Sequence, residues 1–185
     1  MAASAERRDP DPSGKAPPPS GVRADLRAGD RTWALVASRF HEDVCRALEA
    51  GARSCLLAHG APETSVVTFH VAGAFEIPAA ARAVLESGRA EAVVGLGAVI
   101  RGETPHFDHV CRAVTDGLAR LAYESGRPVG FGVLTADTLD QARARAGGSR
   151  GNKGWEAALA ALEMAGLLDG LAPESRVGFS RLGSS

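Results

Sequence analysis

The pattern of apolar and polar positions changes near residue 31. Thr32–Ser38 (TWALVAS) is a short apolar run and reads as a buried strand. His41–His59 follows as a helix. It places Val44, Leu48, Cys55 and Leu56 on one stripe and Glu42, Arg46, Glu49 and Arg53 elsewhere, and Gly60, Ala61 and Pro62 end it. Thr64–Val71 is rich in β-branched residues and reads as a second strand. Gly73–Pro78 is a turn, and Ala79–Ser87 a helix closed by Gly88. Ala92–Ile100 (AVVGLGAVI) is almost continuously apolar, as a strand covered on both faces should be. After the polar loop Arg101–Pro105, His106–Ser125 carries the stripe Val110, Val114, Leu118 and Leu121, with Gly126 as cap and Pro128 beyond it. Val129–Leu134 is the fourth strand, Thr138–Arg145 a short helix and Ala146–Gly151 a glycine-rich loop. Lys153–Leu168 is the last helix, with Trp155, Ala158, Leu159, Leu162 and Ala165 inward.

Strands alternating with helices imply βαβ units and a parallel sheet. With right-handed crossovers, four such strands give an α/β, flavodoxin-like three-layer sandwich. Ligands of such folds sit beyond the carboxyl ends of the strands. That rule selects Arg39–His41, Gly73–Glu76, Arg101–His106 and Thr135–Asp137. The first residues follow a different logic. Five of the ten prolines fall in the first twenty positions and no aromatic residue precedes Trp33, so little apolar surface is available to offset the entropy of ordering. The expected organisation is a disordered tail over residues 1–21, one domain over 22–170, and a frayed tail over 171–185.

Composition narrows the function classes. The 185 residues are 45% hydrophobic, enough for one packed domain. Charged residues make up 23% and the formal net charge is −1, without the basic excess of a duplex-binding protein. No apolar run approaches the length of a membrane span. The first residues lack a signal peptide's apolar core, and Glu6, Asp9 and Asp11 argue against a transit peptide, so the expected location is the cytoplasm. Three cysteines without a CxxC spacing give neither a disulfide framework nor a zinc-finger site.

Among the strand-end segments, Gly102-Glu103-Thr104-Pro105-His106 offers free N–H groups and a hydroxyl at a helix start, which suits a small phosphate ester. It has neither P-loop nor dinucleotide spacing. Thr104 as an ordinary N-cap explains the same residues. His106 lies in the first helical turn, where a charged imidazole is disfavoured and the ring can exchange protons. His41 and His109 compete for that role, and no third ligand completes a metal site with them. Glu76 suits a polyol or an amine, or compensates the helix start. Phe40 suits a planar ring, or the core. Arg145 suits a phosphate, or the dipole at its own helix end. Lys153 reads locally as a solvated side chain.

Several stretches together resemble one family. They are Val71–Pro78 (VAGAFEIP), Gly97–Val110 (GAVIRGETPHFDHV), Phe131–Thr138 (FGVLTADT), Gln141 through Gly147, Asn152-Lys153-Gly154, and Glu163-Met164. In order and spacing they are similar to the 6,7-dimethyl-8-ribityllumazine synthases, over roughly Thr32–Leu168. The resemblance implies condensation of 5-amino-6-(D-ribitylamino)uracil with 3,4-dihydroxy-2-butanone 4-phosphate, in riboflavin biosynthesis, with no metal or redox cofactor. By motif it implies that Phe40 stacks on the pyrimidine. Ala74, Phe75 and Glu76 would hold the ring and ribityl chain, and Ala98, Val99 and Ile100 would offer backbone bonds. Gly102, Glu103 and Thr104 would bind phosphate, and His106 would transfer protons. Phe131, Arg145 and Lys153 would come from an adjacent subunit, with Arg145 as the phosphate's charge partner.

The resemblance also implies a homo-oligomer: a pentamer, a pair of pentamers or a 60-subunit icosahedral shell, with riboflavin synthase as a possible partner. In that family a neighbour's N-terminal strand covers a sheet edge, which makes Val22–Arg27 the expected covering strand. The short loop Gly147–Gly151 favours the shell. The chain departs from the usual pattern at His41 (often asparagine), Ala72 (usually proline), His109 (often tyrosine) and Ser149 (lysine in several members). Two other readings compete: an archaeal-type riboflavin synthase, and a ligand-binding or shell-forming paralogue with weak catalysis.

Overall fold

The computed structural model describes residues 25–171. A four-stranded, wholly parallel sheet runs in the order β2-β1-β3-β4, with β1 at Trp33–Ser38, β2 at Val66–Val71, β3 at Ala92–Ile100 and β4 at Val129–Ala136. The helices are α1 (Glu42–Ala58), α2 (Ile77–Glu86), α3 (His106–Ser125), α4 (Leu139–Arg145) and α5 (Lys153–Leu171). No helix among the described residues is long and apolar enough to cross a membrane.

The pleat explains the layers. Trp33, Leu35 and Ala37 of β1 and Ala92, Val94, Leu96 and Ala98 of β3 face one way, into a core shared with Val44, Leu48, Cys55 and Leu56 of α1 and Ala158, Leu162 and Ala165 of α5. Ala34 and Val36 of β1 and Val93 and Val99 of β3 face the other way, against Ile77, Ala81 and Val84 of α2 and Val114 and Leu118 of α3. Both faces are covered, which is why β3 is buried along its length up to a half-buried Ile100. Gly95 lets the second layer close down: a Cβ there would lie 2.9 Å from side-chain atoms of both Ile77 and Leu118.

Several expectations shift. Thr64 and Ser65 belong to a 3₁₀ turn, Glu63–Ser65, ahead of β2. Helix α2 starts at Ile77 because Pro78, lacking an N–H, fits a first helical turn. β4 runs on to Ala136. The loop after α4 is a small antiparallel hairpin, β5 (Ala146–Gly148) with β6 (Gly151–Asn152). Trp155 is 36% exposed, and Ala157 and Ala161 take the inward places beside Ala158. Thr104 does not cap α3: its N-cap is Pro105, with no side-chain bond. Of the expected covering strand, Asp25–Arg27 forms no strand and residues 22–24 lie outside the described residues, as do the rest of the N-terminal tail and residues 172–185.

Candidate active site

The carboxyl ends of β1, β2 and β3 surround one crevice of about 570 Å³. It lies on the α2/α3 side of the point where the chain switches from building the sheet leftwards (β1 to β2) to building it rightwards (β3 to β4). Open α/β sheets place their ligands at such a switch.

Each wall has a local cause. Beyond β1, the buried Ser38 hydroxyl accepts the Phe40 N–H at 3.1 Å, and the Arg39 N–H donates to the Val71 carbonyl at 2.9 Å. This turn presents Phe40, 65% exposed, and His41, whose ring meets Phe40 edge-on with centroids 4.6 Å apart. His41 also carries the one positive φ among the described non-glycine residues, 56°. Beyond β2, the Glu76 carboxylate accepts the Gly73 N–H at 2.9 Å and holds the 3₁₀ turn Ala74–Glu76, which exposes Phe75. Beyond β3, Ala98, Val99 and Ile100 form the floor, and Gly102, Thr104, His106, Phe107 and Val110 close the far side.

The polar character of that far side is specific. Among the described residues, no hydrogen bond engages the backbone N–H groups of Gly102, Glu103, Thr104, His106 or Phe107. These donors cluster at the start of a 20-residue helix without a side-chain cap, where the helix dipole favours negative charge. Two large exposed aromatic rings, Phe40 and Phe75, line the same crevice. The crevice thus suits a ligand, or a pair of ligands, with a planar ring at one end and an anion at the other.

The structure brings Phe40, Ala74, Phe75, Glu76, Ala98, Val99, Ile100, Gly102, Thr104 and His106 together. Glu103 is exposed beside them without lining the crevice. Three expected residues lie outside it. Phe131 is 44% exposed on the edge strand β4. Arg145 turns back, its Nη1 donating to the Gln141 carbonyl at 2.9 Å. Lys153 pairs with Glu156. His41, Gly73, Phe107 and Val110 also line the wall. Of these, His41 and Gly73 lie in segments that the strand-end rule selects, whereas Phe107 and Val110, inside α3, carry no such signal.

A larger hollow of about 670 Å³ lies along α1, between the end of β1 and His70 of β2, but its charges are mostly engaged by neighbours. Arg46 bonds Glu42, His70 bonds Glu49, and Arg53 donates to Thr68. Of the strand-end segments it takes only Arg39, whereas the smaller crevice gathers residues from three of them, so the smaller crevice is the better site. Cys45 borders this hollow, but burial pushes its thiol up to about 11, and its Sγ lies 3.1 Å from the Phe40 carbonyl. It is not an activated nucleophile. Among the described residues, no cluster of three or more His, Cys, Asp or Glu side chains is placed to hold a metal ion.

A family model described as 6,7-dimethyl-8-ribityllumazine synthase matches residues 30–169. The chain belongs to this family. The 6,7-dimethyl-8-ribityllumazine synthase of Desulfosudis oleivorans is 47% identical over 151 residues, covering 82% of this chain and 96% of that protein. That of Chloroherpeton thalassium is 42% identical over 146 residues, covering 79% and 94%. The α/β sandwich agrees with the lumazine synthase resemblance read from the motifs. Both relatives carry the synthase name, which leaves the riboflavin synthase and scaffold readings without support.

Proposed function

We propose that the protein is a transferase of riboflavin biosynthesis, working in this crevice. It condenses 5-amino-6-(D-ribitylamino)uracil with 3,4-dihydroxy-2-butanone 4-phosphate to 6,7-dimethyl-8-ribityllumazine. The observation that carries the reading is the juxtaposition of exposed Phe40 and Phe75 with the unpaired N–H groups of Gly102–Thr104 across one crevice.

The pyrimidine ring stacks on Phe40. Ala74, Phe75 and Glu76 hold the ring and ribityl chain, and the β3 end, Ala98–Ile100, offers its backbone to the uracil edge. Gly102, Glu103 and Thr104 receive the phosphate. The pyrimidine's 5-amino group attacks the ketone, and loss of one water gives a Schiff base. Phosphate then leaves by elimination, and closure by the ribitylamino nitrogen expels another water. His106, at the phosphate end, carries protons between these steps, a role worth typically ~10²–10⁴-fold. Most of the remaining acceleration comes from holding two reactants in register.

Phe131, Arg145 and Lys153 complete the site from an adjacent subunit, which accounts for their lying outside their own chain's crevice. The assembly is a pentamer, and the short Gly147–Gly151 hairpin favours closure into a 60-subunit shell in the cytoplasm, with riboflavin synthase as a possible partner. Sedimentation tests this directly: a species near five subunits overturns the shell.

The function is tested by mixing the purified protein with both substrates and following lumazine fluorescence and free phosphate, with the uncatalysed rate subtracted. Equimolar lumazine and phosphate above background are expected. Arg145→Ala should raise the KM for the butanone phosphate. Background rates alone, with tight pyrimidine or riboflavin binding, would mark a binding paralogue instead.

A further inference from the structure

The geometry points to Arg101 as a positioning residue that sets the phosphate-binding loop by bracing its two ends against the end of β4, without touching the substrate. The inference rests on reading Gly102–Thr104 as that loop.

The loop has an unusual task. Its N–H groups must stay free for a ligand, so they cannot hold the loop's shape. Helix α3 begins at Pro105 without a side-chain cap, so no hydroxyl or carboxylate fixes its start. Arg101 supplies what both omissions leave out. At the loop's entrance its N–H donates to the Ala136 carbonyl at 2.9 Å, one residue beyond the Ile100–Ala136 register pair, and so extends the β3–β4 ladder. Its side chain then spans to the loop's exit. The guanidinium lies over the Phe107 ring, 4.1 Å from the centroid, and Nη1 reaches Asp108 at 3.5 Å. Nε donates to Asp137 at 3.0 Å. Asp137 is itself fixed, because its N–H donates to the Gln141 side chain at 3.1 Å.

One side chain therefore joins the loop's entrance, its exit and the neighbouring strand end. Phe107, under the guanidinium, lines the crevice, whereas Arg101 does not. The cation is held on one face by an aromatic ring and on two edges by carboxylates, away from the ligand. A half-exposed network of this kind contributes little to global stability. Its effect falls on the alignment of donors that must meet a phosphate together.

The test compares the full-length protein with Arg101→Gln, Arg101→Lys, Asp137→Asn and the Arg101→Gln/Asp137→Asn double variant. Each is assayed for kcat, for the KM of each substrate and for the inhibition constant of inorganic phosphate. In Arg101→Gln, the butanone phosphate KM and the phosphate inhibition constant should each rise about tenfold, the scale of a small misplacement of binding groups. The KM for the pyrimidine amine should stay within about twofold, as should kcat. Asp137→Asn should reproduce the effect and the double variant should add nothing, because both remove one brace. Arg101→Lys should recover only part, since an ammonium cannot bond Asp137 and stack on Phe107 as a planar fork does.

A direct Arg101–phosphate contact predicts the opposite for Asp137→Asn, which keeps the cation: no loss, and full rescue by lysine. Either result overturns the inference. If Arg101→Gln does not fold, Asp137→Asn alone decides. An inactive wild-type protein would overturn the proposed function beneath it, whereas an active one with unchanged Arg101→Gln constants overturns only the role of Arg101.

Discussion

His41 occupies the left-handed region, φ 56° and ψ 56°, at the N-cap of α1 with no side-chain bond to hold it there. Among non-glycine residues, Asn, Asp and His are the types enriched in this conformation. Histidine and the asparagine expected here from the resemblance answer the same backbone requirement. His41→Asn should leave the urea midpoint unchanged, while His41→Val should cost about 1–2 kcal/mol, because a β-branched side chain meets the following carbonyl. Equal midpoints for the two variants would show that the turn relaxes and the geometry is not imposed. The buried thiols give a second measurable consequence. Burial raises Cys45 and Cys55 from 9.0 to about 11. Between those values the folded state holds protons that the unfolded chain has lost, so stability must fall as pH rises through that window. The slope should reach about 1.4 kcal/mol per pH unit for each thiol, measured by denaturant titration at fixed ionic strength. Replacing Cys45 by alanine should flatten the slope. A profile unchanged by that substitution would assign the alkaline loss to other groups.

At the scale of elements, close approach decides more than apolar content. Helix α5 packs on α1 so tightly that a Cβ at Gly154 would lie 2.0 Å from the Leu48 carbonyl oxygen. The Asn152 side chain locks the same corner, donating to the Ala47 carbonyl at 2.8 Å and accepting the Gly154 N–H at 2.8 Å. Gly154→Ala should therefore destabilise by about 1–3 kcal/mol despite alanine's better helix propensity. Its melting temperature would have to match the wild type to refute the contact. This corner also shows where the sequence could and could not be read. β3 was legible because an apolar run buried on both faces has few alternatives, and α3 because Gly126 and Pro128 stop it cleanly. Trp155 was misplaced because α5 is apolar nearly all round, so periodicity cannot choose which face turns inward. The β5–β6 hairpin was invisible because its glycines carry no side-chain pattern. In the site, the topology rule selected Phe40, His41, Gly73–Glu76, Gly102, Thr104 and His106, whereas Ala98, Val99 and Ile100 came only with the family resemblance and Phe107 and Val110 on α3 were assigned no role. The Arg101 brace followed from neither, since its partner Asp137 lies 36 residues away and only the β3–β4 register brings them together.

At the scale of the whole molecule, one chain gathers two exposed aromatic rings, a strand-end backbone and unpaired N–H groups in one crevice, yet the expected phosphate partner, Arg145, does not line it and bonds the Gln141 carbonyl instead. The proposed cyclic, head-to-tail assembly would resolve this, because each subunit would then lend its Arg145 to the next. Mixing subunits separates this arrangement from a site built within one chain. On the proposed reading, His106→Ala removes the proton carrier from a subunit's own crevice, and Arg145→Ala removes the cation lent to a neighbour. Each homogeneous variant should be impaired at every site. If the two are denatured together and reassembled in equal amounts, a site is intact when an Arg145→Ala subunit sits beside a His106→Ala subunit in the lending orientation. Random assembly meets both conditions, each with even odds, at about one quarter of sites. Activity should therefore rise above both parents to roughly a quarter of the wild-type value, with the wild-type KM for the butanone phosphate in that fraction. If both residues instead served the crevice of their own chain, no mixture could restore an intact site, and activity would stay at the average of the two variants. Wild-type protein taken through the same reassembly sets the scale for the comparison.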